Sequence, residues 1–142
     1  IDCFKTMPYP LVIAGQSDDK NLLSKIDQYK NISFISILDD DQLLELFHRA
    51  HVNVLYAFNN SGVKLKLINS LFQSRYVIAN NNIIQGSGFD SLCIIANDKK
   101  EIMHQVLKTM DKDFSKEEIS RRKEILTDYS NENNAKILLN LL

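Results

Sequence analysis

The sequence is short of the residues that staple, ligate or anchor a chain. It has two cysteines, Cys3 and Cys93, far apart in 142 residues. That count excludes a disulfide scaffold and a four-thiolate metal site, and it fits a reducing compartment. His48 and His51 are three apart, but no Cys or acidic partner stands at ligand spacing, which argues against zinc. No metal is expected. No apolar run approaches the roughly 20 residues that a bilayer span needs, and no basic-then-apolar start marks a signal peptide. Neither charge sign dominates: Lys+Arg is 17 and Asp+Glu 18, a formal net charge of −1. A dedicated nucleic-acid or membrane-surface binder would carry a basic excess. No serine sits in a glycine-flanked nucleophile elbow, and no Gly-x-x-x-x-Gly-Lys-Ser/Thr phosphate loop is present. No internal repeat or low-complexity linker divides the chain.

What remains is ordinary globular composition: 44% apolar, 25% charged, with mean hydropathy −0.19. The length suits one domain with one continuous core. The chain opens on Ile1, not Met, and reads as a piece of something longer.

Short apolar runs alternate with longer amphipathic stretches. Leu11–Ala14 reads as a buried strand that ends at Gly15, after the Pro8-Tyr9-Pro10 stop. Asp2–Met7 before it reads as the end of a helix. Residues 18–29 carry Leu22, Leu23 and Ile26 at helical spacing. Ile32–Ile37 is β-branched and aromatic, hence strand. Asp39-Asp40-Asp41 opens a helix with Leu43, Leu44, Leu46 and Phe47 on its apolar side. Val52–Tyr56 is a third strand, followed by the turn cluster Asn59-Asn60-Ser61-Gly62. Lys64–Ser74 is a helix with Leu65, Ile68, Leu71 and Phe72 inward. Tyr76–Ala79 is a fourth strand and Asn80–Gly88 a polar loop. Leu92–Ala96 is a fifth strand. Asp98–Met110 is a helix capped by Asn97 or Asp98, and the rest is helical with a break at 130–133. Strands alternating with helices predict an α/β fold, a mainly parallel sheet with helices on both faces. The strands are continuous apolar runs, as burial on both faces requires.

Ligands of open parallel sheets bind beyond the carboxyl ends of the strands. Three segments lie there: Gly15-Gln16-Ser17, Asn59–Lys66 and Asn80–Gly88. In the second, Gly62 allows close backbone approach, and the start of a helix offers unpaired N–H donors to an anion. Lys64 and Lys66 in its first turn oppose the helix dipole, a conflict that an anionic ligand removes. A plain turn with two solvated lysines explains the same residues. Gln85-Gly86-Ser87-Gly88 fits either an anion nest or a connecting loop, and Gly15 either a close approach or a turn. The Asp39–Asp41 triplet reads as an N-cap with acids favouring the dipole. A phosphoacceptor reading needs an aspartate at the end of the third strand, where Tyr56-Ala57-Phe58 stands instead. Cys93 reads as a small core residue.

The order of segments then becomes recognisable. Pro10–Gly15, Tyr29–Phe34, Asp41–Leu46 and Ala50–Val54, followed by Gly62–Leu71 and Arg75–Ala79, resemble the C-terminal domain of GT-B glycosyltransferases. The likeness is to the large retaining family of sucrose and glycogen synthases and bacterial polysaccharide enzymes. The glycine-containing turn, amphipathic helix and following strand over 62–79 carry it most clearly. It covers nearly the whole chain as an ordered set.

The resemblance implies a Rossmann-like donor-binding domain spanning 1–142, with the first strand and the N-terminal acceptor domain of the family lying outside it. It implies a hexosyltransferase-type enzyme that moves a sugar from a nucleotide sugar to a saccharide or lipid-linked acceptor. The site lies between two domains, so the isolated chain is expected to be inactive. The nucleotide sugar is a substrate; no cofactor is implied. Ser61, Gly62 and Val63 would meet sugar and diphosphate through backbone N–H groups, with Lys64 offsetting charge. Gly15 would lie at the same edge, and the base near Ile37 and Leu38. Asn69 holds the position of a ribose-binding glutamate, and Ser61 that of its partner acid. A neutral amide binds a diol less strongly than a carboxylate does. The resemblance also implies a cytoplasmic enzyme, peripheral to the inner membrane through the other domain. A sheet without its central first strand leaves two rows of backbone groups unpaired. It predicts residues outside this chain, a neighbouring copy in a homo-oligomer, or a rearranged sheet. Two rivals stand beside this reading: a degenerate, non-catalytic member of the same fold, and a receiver-like regulatory domain.

Overall fold

The computed structural model describes residues 1–37, 39–59 and 65–140. Among the described residues five strands, all parallel to their partners, alternate with helices. Strand β1 (Leu11–Gly15) leads through α1 (Lys20–Ile26) to β2 (Ile32–Ser36), and α2 (Asp40–Arg49) leads to β3 (Val52–Leu55). Helix α3 (Leu65–Gln73) connects to β4 (Tyr76–Ala79), and the short α4 (Asn81–Ile84) to β5 (Ile94–Ile95). Helices α5 (Lys99–Met110), α6 (Lys116–Leu126) and α7 (Asn131–Leu139) close the chain. The fold is α/β and Rossmann-like.

The strands form two sheets, not one: β1 with β2, and β3-β4-β5. Side-chain alternation along each strand then defines two faces. On one, Leu11, Ile13, Ile32, Phe34, Val52, Val54 and Ile78 join α1 (Leu22, Ile26) and α5 (Ile102, Val106) in a single apolar cluster with Phe4 and Met7. On the other, Leu55, Val77 and Ala79 pack on Leu67 and Leu71 of α3, with Ile84, Phe89, Leu92 and Leu126. The first cluster spans both sheets, so they lie side by side over one core layer.

Crossover handedness fixes their order. The β1-to-β2 connection passes over the first face, where α1 packs. The β2-to-β3 connection passes over the second, where His48 of α2 bonds Gln73 of α3 (3.3 Å). Right-handed crossovers on opposite faces travel in opposite directions. The chain therefore turns back past β1 before reaching β3, and β1, not β2, is the neighbour of β3.

The helix ends follow from local chemistry. Asp39 caps α2 by accepting from Gln42 N at 2.9 Å, with Asp40 and Asp41 in the favourable first turn. Asp98, not Asn97, caps α5. Ser115 and Glu118 form a reciprocal capping box on α6. Three local expectations give way. Asp2–Met7 is a set of turns whose carbonyls at Phe4 and Met7 accept from Asn31 Nδ2 at 2.8 and 3.2 Å, so a side chain replaces helical bonding. The fifth strand shrinks to two residues because a 3-10 turn at Asp90–Leu92 consumes its start. The 80–88 loop contains α4, after which Gly86 and Gly88 take left-handed φ of +76° and +77°. No helix among the described residues is long and apolar enough to cross a membrane.

Candidate functional site

The carboxyl ends of the strands carry a cluster organised by asparagines. Asn80 ends β4 and is buried. Its side chain brackets the main chain of one residue beyond β3: Nδ2 donates to Ala57 O at 2.7 Å and Oδ1 accepts from Ala57 N at 3.1 Å. Asn82 Nδ2 donates to the same carbonyl at 3.0 Å. Asn97, after β5, accepts from Asn81 N at 2.9 Å, and its own N–H donates to Glu101 Oε2 at 2.6 Å. Tyr56 OH closes the set by donating to Asn97 O at 3.2 Å. An amide side chain presents donor and acceptor together, so it can satisfy a strand that has run out of partners. The chain leaving β3 is thereby fixed through Ala57, where it heads toward residue 59.

Held this way, the exit from β3 presents two rings to solvent. Phe58 is 94% exposed and stands edge-on to Tyr56 with centroids 5.5 Å apart. An exposed ring beside neutral amides and main-chain groups is suited to stacking against a flat or sugar-like ligand.

The first sheet contributes a second part of this edge. Gly15 O accepts from Ile37 N at 3.1 Å, and Gln16 Nε2 donates to Ile37 O at 3.3 Å. The structure thus brings Gly15 and Ile37 together at the ends of β1 and β2. Asn69 lies on α3 at an exposed position, one step from buried Ser70, and makes no described contact with Gly15 or Ile37. Leu38, Ser61, Gly62, Val63 and Lys64 lie outside the described residues. The Gln85–Gly88 segment serves the core: Ser87 Oγ accepts from Phe89 N at 3.1 Å, and buried Phe89 packs edge-on to Tyr129 at 4.7 Å.

A different polar cluster occupies the amino-end side. Arg122 is buried, stacks its guanidinium 4.7 Å from the centre of the Phe114 ring, and donates to Ser74 O (2.6 Å) and Leu71 O (3.3 Å). Those are the last carbonyls of α3, where a cation suits the helix dipole. Tyr76 OH donates to Asp113 O at 2.9 Å and Glu118 Oε2 at 3.1 Å. Burial and the Glu118 carboxylate push its phenol above the ordinary tyrosine range. Nearby Cys93 is half-buried, and burial pushes its thiol up to about 11. A thiol so protonated is a poor nucleophile or metal ligand at neutral pH. Arg122 and Tyr76 spend their bonds on main-chain carbonyls and on Glu118, and so tie α6 to α3 and β4. No group of three potential metal ligands occurs among the described residues.

Sequence reasoning looked for a site at the carboxyl ends of the strands, with Asn80–Gly88 as one segment, but gave Asn80, Asn82 and Asn97 no part in holding the exit of β3. The available signal was their position: each falls directly or nearly so after a strand, where main-chain groups run out of ladder partners. Fold and site together define a Rossmann-like α/β domain with an asparagine-clamped strand exit. Comparisons of the chain with known protein families, curated proteins and solved structures return no match.

Proposed function

We propose that this chain is the donor-binding domain of a GT-B-type retaining glycosyltransferase, holding a nucleotide sugar at the carboxyl edge of its strands. In this reading Ser61, Gly62 and Val63 receive the diphosphate, Lys64 offsets its charge, and Gly15, Ile37 and Leu38 flank the base. Asn69 serves the ribose hydroxyls as a neutral hydrogen-bonding group. The acceptor, a saccharide or lipid-linked saccharide, would be presented by the N-terminal domain of the same enzyme. The observation that carries the reading is the shared edge: Gly15 and Ile37 are bonded together at the ends of β1 and β2. The asparagine clamp fixes the exit of β3 at Ala57, at the carboxyl end of the strands. Ligands of open parallel sheets bind on that side.

The experiment is a calorimetric and thermal-shift titration of the full-length protein with UDP, GDP, ADP and their sugar conjugates. One nucleotide should bind, and Lys64→Ala should weaken it. No heat and no shift with any of them overturns the reading. A second reading, a non-catalytic saccharide-binding domain of the same fold, is favoured by one observation. The positions of the family's ribose-binding acid and of its partner acid hold neutral side chains, Asn69 and Ser61. Binding of a free oligosaccharide without any nucleotide would support it.

A further inference from the structure

Arg122 has more hydrogen-bonding capacity than the fold uses. Nη1 commits both of its protons, to Ser74 O and Leu71 O. Nε and Nη2 make no hydrogen bond among the described residues, and no carboxylate among them forms an ion pair with this guanidinium. The side-chain polar atoms that are sealed in without a partner are Asn53 Nδ2 and Ser70 Oγ. Nε and Nη2 are therefore reached by solvent, and they open on the cavity that Arg122 lines. A charge only 8% exposed is ordinarily paired. Here its counterparts are two carbonyl dipoles and the Phe114 ring. Burial still pulls Arg122 below the ordinary guanidinium range.

The unused pair has a fixed geometry. Nε–H and the nearer Nη2–H run parallel along one edge of a planar group, spaced for two oxygens of one oxyanion. The plane is held in place by the two bonds from Nη1 and by the contact with Phe114. The cavity measures about 80 Å³ and lies beside the starts of β4 and β5, with Arg121 also on its wall. Arg121 is positioned by a bond from Nη2 to Ser91 O at 3.1 Å. The opposing charge is Glu118, whose Oε2 already accepts from Tyr76 OH and from Ser115 N at 3.3 Å. Cys93 adds no charge, because burial keeps its thiol protonated. Two cations against one carboxylate leave the cavity positive. The rest of its wall includes the apolar side chains of Val77, Leu92 and Ile94.

We infer that this cavity binds a small aliphatic monocarboxylate of about propionate size, its carboxylate on the Nε–Nη2 edge of Arg122 and its alkyl end on Val77, Leu92 and Ile94. Three features select the class. The planar edge offers two parallel donors, which match one carboxylate. A second negative charge on the ligand would face Glu118, which disfavours a phosphate dianion. The apolar wall gains from an alkyl group and would strip water from a phosphate oxygen without replacing it. Size sets the limit: a water takes about 30 Å³ of liquid, so the space suits a molecule of a few heavy atoms and not a nucleotide. The site stands at the opposite ends of the strands from the edge proposed for the nucleotide sugar. The two readings therefore stand or fall separately.

The test is an NMR titration of the full-length protein labelled with 15N-arginine, using propionate, inorganic phosphate and chloride at one ionic strength. The Arg122 Nε–H signal, identified by its loss in Arg122→Lys, should shift saturably with propionate. Phosphate should bind at least threefold more weakly, and chloride should leave the signal in place. Arg122→Lys keeps the charge but loses the parallel pair, so calorimetry should show propionate binding at least tenfold weaker. Arg121→Gln changes an exposed side chain and should weaken binding at least threefold without unfolding the protein. It decides the matter if Arg122→Lys does not fold. A signal that propionate leaves in place overturns the inference, as does an equal response to chloride. Phosphate binding as tight as propionate overturns the assignment to carboxylates, and unchanged affinity in Arg121→Gln overturns the placement in this cavity.

Discussion

Replacing Asn80 by alanine should loosen the carboxyl edge more than any other change there. The side chain makes two hydrogen bonds to the main chain of Ala57, at 2.7 and 3.1 Å. A bond of this kind contributes a net of about 1 kcal/mol, and stranding a buried partner costs about 1–3 kcal/mol more. After Asn80→Ala, Ala57 O keeps its bond from Asn82 at 3.0 Å, while Ala57 N loses its acceptor. The sum is about 3 kcal/mol, or about 10 °C in Tm for a chain of this size. Urea unfolding followed by circular dichroism measures it. Asn80→Asp separates the two bonds. A carboxylate can still accept from Ala57 N but meets Ala57 O as oxygen against oxygen, so the folded state should hold its proton more tightly than the unfolded chain does. That raised carboxyl value means stability is retained below the unfolded value near 3.9 and lost as pH climbs through the folded one. The deficit of the Asp variant relative to wild type should therefore shrink on acidification, and that of the Ala variant should not follow. A loss under about 0.5 kcal/mol for Asn80→Ala, or identical pH profiles for the two variants, would refute the clamp.

Two further outcomes follow from the amino-end cluster. Arg122→Leu leaves two α3 carbonyls without their charged donor and removes the contact with Phe114. A loss of about 3 kcal/mol is expected by denaturant titration, and Arg122→Lys should recover only part of it: both bonds come from Nη1 and an ammonium can supply donors there, but it has no plane to lay on Phe114. Cys93, its thiol raised to about 11 by burial, should resist maleimide at pH 8 in a Cys3→Ser background and react promptly once unfolded. Its raised value also predicts full contribution below about 9 and a decline in stability as pH rises through about 11.

The elements were legible because each obeys a local rule. The continuous apolar runs at Leu11, Ile32, Val52 and Tyr76 read as parallel strands, and the caps at Asp39, Asp98 and Ser115 stop and start helices by their own oxygens. What sequence reasoning misjudged was tertiary in origin. Residues 2–7 form turns because Asn31, 24 residues or more away in sequence, takes up their carbonyls. Strand β5 is short because a 3-10 turn spends its first residues.

The candidate site divides the same way. The Ser61–Lys64 segment draws attention in the sequence by its glycine and lysine, since both alter what a backbone can approach. The asparagines do not, because an amide looks the same in sequence whether it faces water or brackets a strand exit. The decisive variable is whether unpaired main-chain groups lie within its reach. That condition recurs where β1 and β3 fail to meet. A run such as Val52–Leu55 records that a strand is buried, but not whether both its edges are paired. The pairing depends on what lies beside it, and here one side of each inner strand is open. The split into two sheets is therefore the feature least visible in the residues. At the clamped edge, by contrast, the main-chain groups of Ala57 are satisfied by Asn80.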